Sequence, residues 1–379
     1  MRTIIDRRTA LAGGAAVAAG LMLPGRAAAQ SGASVSLLIE NAGHLDWKKS
    51  GDEKIAFDRR AIDTYFDVWL ANSDGSGQVD FTTPLSGGLN GLPLLKHKGC
   101  PAFHPGGEWI AFQAQKPFLP SHLDLYANPG AGLLNDLWVA RQNGTGLKKI
   151  FDIPGGFLTN INALLHPHFN HAGNKVYWAQ RIANSDTSDM GKWVLKIGDF
   201  NEANPQLITD PLVIDPFPGE DHFYESHGFS PDDQHILFTV GSAGNFDIWR
   251  MRLSDGELEN LTPASDGVWD EHSIYSPDGS KIVWGSSQGL TWQEGLFFDL
   301  ETEFWLMDAD GSNKTQLTYF STPGHPHNAA IGNPQYPNIS ACADSAWNAA
   351  GTQFVGLVIT GNPLTLQRGT GPIVKVTLP

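Results

Sequence analysis

The chain has 379 residues, with 40 Asp and Glu against 25 Lys and Arg, a formal charge of −15. That length carries an ample apolar core for one large all-β domain or two ordinary ones. The acidic balance disfavours a general attraction to nucleic acid or anionic lipid.

Residues 1–29 read as an export signal. Arg2, Arg7 and Arg8 precede a weakly apolar run, Thr9 to Leu23, and Ala27-Ala28-Ala29 offers a small-residue cleavage site. Arg7-Arg8 followed by Thr9-Ala10-Leu11 resembles a twin-arginine signal, the type that exports folded proteins; an ordinary secretory signal is the alternative. The run is short and interrupted by glycines, so no membrane span is expected. The expected location is the periplasm or outside the cell, with 30–379 as one domain.

From Val35 onward one unit recurs. His272 to Thr318 shows it best: two short apolar runs flank Pro277-Asp278-Gly279, and a third, Phe304 to Met307, precedes the turn Asp308-Ala309-Asp310-Gly311. Four short antiparallel strands of this kind make one blade of a β-propeller. The first strand and its turn return near Leu45, Pro101, Pro167, His227, Tyr275 and Ser345. The third strand returns with Trp69, Trp138, Trp193, Trp249 and Trp305, spaced by 69, 55, 56 and 56 residues. A sixth unit stops one strand short, and Val35 to Ile39 is a spare strand at the other end. The fold expected is therefore all-β, a six-bladed β-propeller whose last blade is closed by the N-terminal strand.

Ser276-Pro277-Asp278-Gly279 and Ser230-Pro231-Asp232-Asp233, with Asp-aliphatic-Trp strands later in each unit, resemble the TolB-type family of WD-like propeller repeats. The resemblance covers about 340 residues. It implies a six-bladed ring and little about chemistry, because one fold hosts many functions. No room exists before Val35 for the N-terminal α/β domain that TolB proteins carry.

Strands that run up and down place the Pro-Asp-Gly and Asp-Gly turns on one face. The long segments Gln113 to Asn135, Gln180 to Gly191, Gly285 to Thr302 and Tyr319 to Ala343 fall on the other, where function is expected. His44, His166, His168, His227 and His272 lead into first strands, nearest the axis. His97, His222, His325 and His327 fall in blade links and His122 in a long loop, so 10 of 13 histidines share a face. Asp221, Glu225, Asp270, Glu271 and Asp344 share their approach. Such a ring suits a divalent transition metal, Mn, Zn or Fe. His325-Pro326-His327 and His166-Pro167-His168 attract notice because residues i and i+2 of an extended segment point the same way; a merely polar, wet mouth is the alternative.

Cys100 and Cys342 begin first strands of the second and sixth units, and either a bridge across a narrow mouth or two free thiols is compatible with that. Gly285-Ser286-Ser287-Gln288-Gly289 matches the serine-hydrolase string, but lacks the strand-to-helix elbow that string needs. Asp308 to Gly311 reads as a turn rather than a calcium loop, for want of the later Glu. Trp292, Phe297, Phe298, Phe118 and Tyr126 sit in long loops, suited to stacking on a sugar or gripping a peptide.

Two functions are expected. One is an exported, monomeric binding scaffold that takes a protein or glycan partner through its His-rich funnel face. The other is a metal-dependent lyase or hydrolase acting on an oligosaccharide. Oligogalacturonate lyases are similar in having repeat propellers with a metal held by several His, including a His-x-His pair, and one Gln. His325 and His327 match that pair; if the site is catalytic, His325, His327 and His272 are expected as ligands and His227 as the base, with His166 and His168 as further metal candidates by their spacing. Thr322 stands where their Gln would be, and on the funnel face only Arg59, Arg60, Lys116 and Arg181 are at hand for an acidic sugar.

Overall fold

The computed structural model describes residues 32–86, 96–117, 124, 126–155, 161–188, 190–242, 245–263, 267–290, 300–332, 339–361 and 370–379. The expected signal, and with it Phe118, His122, Trp292, Phe297 and Phe298, lies outside them. Six antiparallel sheets follow one another along the chain, each of four strands with one addition. Blade 1 runs through Leu45–Trp47, Lys54–Arg60, Phe66–Asn72 and Val79–Asp80; blade 2 through Lys98–Phe103, Trp109–Gln115, Asn135–Arg141 and Lys148–Phe151. Blade 3 holds Ala163–Phe169, Lys175–Ala183, Lys192–Asn201 and Gln206–Leu207, plus Leu212–Ile214 on its third strand. Blade 4 is Phe223–Phe229, His235–Ser242, Asn245–Arg252 and Leu258–Asn260; blade 5 is Asp270–Tyr275, Lys281–Ser286, Glu303–Asp308 and Thr315–Gln316.

Blade 6 takes three strands, Ile339–Trp347, Gln353–Gly361 and Gly371–Thr377, from the end of the chain and its outer strand, Ser34–Ala42, from the beginning. Val35 stands opposite Val376 and Ile39 opposite Ile373. The expected six-bladed ring and its closure by the N-terminal strand are both observed.

The repeated residues build the blade from its corners. In blade 5 Asp278 Oδ1 accepts from Ser276 Oγ at 2.6 Å and from the Ser280 amide at 3.0 Å, while Ser276 Oγ accepts from the Lys281 amide at 3.0 Å. Gly279 takes the left-handed conformation (φ 72°) that this turn requires. Asn170 and Asn348 replace the serine in blades 3 and 6, each accepting two amides across its turn. A second clamp explains the acidic residue that opens the third strand. Thr82, Thr262 and Thr318 each accept from a third-strand amide, those of Val68, Ile248 and Phe304, at 2.8 to 2.9 Å. Asp67 and Glu303 in turn accept from the hydroxyls of Thr82 and Thr318.

Apolar burial is distributed around the ring. One buried cluster pairs blades 1 and 2 (Val68, Phe112), and others pair 2 with 3 (Leu137, Trp178) and 3 with 4 (Leu195, Phe238). The circle is completed by clusters between 4 and 5 (Ile248, Trp284), 5 and 6 (Phe304, Val374), and 6 and 1 (Ile373, Phe57). Each interface thus has its own core, and the polar axis is left lined by the first strands.

Candidate metal centre on the ring axis

Each first strand ends on a large aromatic set opposite a second-strand residue: Trp47, Phe103, Phe169, Phe229, Tyr275 and Trp347. Three residues before each aromatic stand His44, Cys100, His166, Ser226, His272 and Asp344. In blades 2, 3, 5 and 6 the ladder is broken here by a β-bulge in which two inner-strand residues oppose one. Cys100 (φ 48°), His166 (φ 49°) and His272 (φ 57°) occupy the left-handed region there. For a side-chain-bearing residue that conformation costs on the order of 1–3 kcal/mol, and such strain concentrates at functional positions. In blade 4 His227 is the extra residue and Gly228 (φ 104°) takes the left-handed turn.

His166, Glu225, His227 and His272, from three consecutive blades, bring one ligand atom each to within 4.8 Å of one another. His166 Nδ1 lies 2.6 Å from Glu225 Oε1, and His272 Nδ1 lies 3.0 Å from Asp344 Oδ1 and 3.6 Å from Glu225 Oε1. Glu271 stands 3.5 Å from His272 Nε2 and accepts from Trp269 Nε1 at 2.7 Å. His227 Nε2 lies 2.7 Å from Thr239 Oγ1, and His168 Nε2 lies 3.1 Å from the Ser226 carbonyl. A second group, His44, Cys100 and His166, meets the same 4.8 Å limit. His44, Cys100, His166, His168, His227, His272 and Asp344 line a cavity of about 30 Å³, enough for an ion or one or two waters.

Burial opposes charge throughout the cluster, and the neighbours decide the outcome. Burial works against ionisation of Asp344, but His166, His272 and His44 together hold its carboxyl well below the usual range. Burial likewise lowers His272, yet Glu225, Glu271 and Asp344 push it up to about 10. His44 is drawn down by burial and raised, on balance, by Cys100 and Asp58. Burial and then the neighbouring imidazoles bring His168 down to about 4 and His227 well below its ordinary value, so both are neutral at pH 7. Glu271 is raised by burial and by Glu225. A divalent cation would compete with the proton that Glu225, Glu271 and Asp344 favour on His272.

The structure brings together four of the six expected site residues, His166, His168, His227 and His272, and places them inside the inner strands rather than on the approach to them. His325 and His327 are not in either ligand grouping. Their segment is not extended: His325 caps a short helix, Pro326–Ala330, its Nδ1 accepting from the His327 amide at 3.1 Å. The two rings meet edge to face beside Tyr319, and His327 packs on Phe320, against the blade 5 and 6 core. Sequence reasoning gave no role to Asp58 and considered Cys100 only for a bridge, although aligning the units on the strand-ending aromatic puts Cys100 in the position of His166 and His272. Both cysteines are free, Cys342 facing the apolar core between blades 5 and 6.

Open space next to the cluster also lies on the side opposite the expected long-loop face. A chamber of about 190 Å³ adjoins the cluster at His168 and His227 and is lined by Trp47, Phe103, Phe169 and Tyr275 on the side of the first turns. Arg59, Arg60 and Arg181 bond backbone carbonyls, and Lys116 pairs with Asp136 and Asp152. Tyr126 is exposed. Ser287 Oγ accepts from the Trp269 amide at 2.8 Å in a strand-ending turn, and Asp310 accepts from the Ser312 amide, so neither string discounted above is a site. Among the described residues no helix is long and apolar enough to cross a membrane.

No family model matches the chain. The Tol-Pal system protein TolB of Anaeromyxobacter dehalogenans is 29% identical over 128 residues, 34% of this chain and 24% of that protein. TolB from Acinetobacter baumannii superposes over 86% of this chain and 64% of its own, with a TM-score of 0.50 at 15% identity, a likeness of fold. An oligogalacturonate lyase in complex with manganese superposes over 93% of this chain and 95% of its own, with a TM-score of 0.49 at 13% identity. The chain therefore spans about a quarter of its TolB relative by sequence and under two thirds of the TolB structure by fold.

Proposed function

We propose that this TolB-like β-propeller is an exported metal-binding protein that holds a divalent transition-metal ion on its axis through His166, His227, His272 and Glu225. The observation that carries the reading is the convergence of four ligand atoms from three blades within 4.8 Å, three on buried side chains and the fourth, of His272, partly buried. Three imidazoles and one carboxylate suit Mn, Fe or Zn. Asp344 lies on Nδ1 of His272 and Glu271 on Nε2, and the one on the nitrogen that does not bind the ion would orient the imidazole, a role such partners commonly play. The leader-like Arg7-Arg8 segment supports export to the periplasm or beyond.

Elemental analysis of protein made without a polyhistidine tag and loaded with Mn(II) is expected to find about one manganese per chain, and little in a His227→Ala, His272→Ala variant that keeps the β-sheet circular dichroism of the parent. A parent that stays metal-free after incubation with Mn(II), Fe(II) and Zn(II) would refute the assignment.

The chamber beside His168 and His227 favours a catalytic form of the same reading, a lyase or hydrolase acting on an oligosaccharide. The ion would supply Lewis-acid polarisation or an activated water. His227, expected as the base, then serves as a ligand, and the neutral His168 is the group placed to move a proton at the chamber wall. In a screen of oligosaccharides, His168→Ala should abolish turnover while retaining the ion. The similarity to TolB repeats supports a scaffold that docks a protein partner, and a protein that binds its partner equally well with and without the His227 and His272 imidazoles would favour that role.

A further inference from the structure

We propose that His44, Cys100 and His166 form a second ion position, one that takes a thiophilic cation, Cu(I) or Zn(II). It shares only His166 with the centre described above and draws its other ligands from blades 1 and 2 instead of 4 and 5. Two nitrogens and one sulfur lie within 4.8 Å of one another. A thiolate with two imidazoles is a soft donor set, which selects against the Mn(II) and Mg(II) that a carboxylate-rich site accepts.

The local backbone is arranged for these side chains. Cys100 and His166 are two of the eight described residues other than glycine with positive φ, in equivalent bulges of adjacent blades. The bulge re-aims the side chain of the residue it displaces. Without it Cys100 would follow the strand alternation. Its Sγ reaches the Pro129 carbonyl at 3.6 Å, a long contact.

Asp58 supplies the outer support expected of a built ligand site. It is fully buried. Its Oδ2 lies 2.9 Å from His44 Nδ1 and accepts from the Cys100 amide at 3.0 Å, so one carboxylate fixes both the imidazole and the strand that carries the thiol. A carboxylate on one ring nitrogen leaves the other, Nε2, free to ligate, the arrangement found for most metal-bound histidines. Gly43 and Gly99 make room for it: a Cβ at either would collide with the Asp58 carboxylate, and at Gly99 also with Pro129. Pro129 and Gly130 close over the site, the latter facing His44 Nε2. Two bulges, in blades 2 and 3, two glycines and one buried carboxylate thus go into bringing these three donors together.

Cobalt(II) tests the assignment, because a thiolate ligand adds an intense near-ultraviolet charge-transfer band to the weak visible bands of the ion. The wild type should show that band. It should vanish in Cys100→Ser, survive in Cys342→Ser, and survive in a Glu225→Gln, His227→Ala variant that lacks the first centre. Zn(II) and Cu(I) should displace the cobalt and protect Cys100 from alkylation, whereas Mn(II) should do neither. Visible bands without the thiolate band would mean that cobalt fills only the His and carboxylate centre, overturning this proposal and leaving the earlier one intact. A thiolate band that persists in Cys100→Ser, or is lost with Glu225 and His227, would also overturn it. Loss of visible and thiolate bands alike in the folded wild type would defeat both proposals.

Discussion

At the scale of single residues, the axial cluster is a case of charge placed where burial opposes it. The same tension can be read without any ion at Glu303, at the start of a third strand. Its carboxylate accepts from Thr318 Oγ1 and from the amides of Phe320 and Ser321, yet burial pushes it up to about 7 from an ordinary 4.5. A folded-state value above the unfolded one means that stability is fully present below pH 4.5 and is lost as pH rises through 7. The loss approaches about 3 kcal/mol. Urea unfolding at pH 5 and pH 8 should show this slope in the wild type and a flatter one in Glu303→Gln. Gly43→Ala addresses the other side of the axis: its Cβ would displace Asp58, costing about 1–3 kcal/mol and weakening the thiolate band of the cobalt protein. The misreading of His325 and His327 also belongs at this scale. Pro at the first helical position with a capping side chain before it is a helix-start pattern, and Gly324-His325-Pro326 carried it; the symmetry of His-Pro-His suggested an extended segment instead.

Strands and turns were far more legible. A turn motif with its own hydrogen bonds and a Trp at near-constant spacing are local, repeated signals, so blade number and strand order followed from Ser276-Pro277-Asp278-Gly279 and its weaker copies. The closing strand was legible by elimination, since one unit lacked a strand and one strand lacked a unit. The bulges were not. A bulge is a register event between two strands, and nothing in Gly99-Cys100-Pro101 or Leu165-His166-Pro167 by itself says that one partner will be skipped. The site was therefore half visible: the right histidines could be assigned to the axis, but not their depth or their carboxylate and thiol partners. The closing strand also makes a prediction at this scale. Ile39 is 2% exposed and packs in the core between blades 6 and 1, so Ile39→Ala should cost about 2–5 kcal/mol in urea unfolding. Leu37, 43% exposed on the same strand, should tolerate Ala with little change.

At the scale of the whole molecule the six interface cores form a circle, and no blade is buried on its own account. The axial donors cross-link that circle: one ion would join blades 3, 4 and 5 and the other blades 1, 2 and 3. Ion binding is then also folding energy, worth about 2.7 kcal/mol for each ion held at a hundred times its dissociation constant. Chelation should lower the thermal midpoint of the wild type by several degrees, and should do less in the His227→Ala, His272→Ala variant. A midpoint indifferent to chelator in metal-loaded protein would show that the ions do not brace the ring.

The pairing of Ser34–Ala42 with Gly371–Thr377 sets a clock on synthesis. The outer strand of the last blade is made before the other five blades, and its partner after them. Until that partner has emerged, the strand must wait with its edge bare. The long delay between the two halves of ring closure is the interval in which a chaperone would have most to protect.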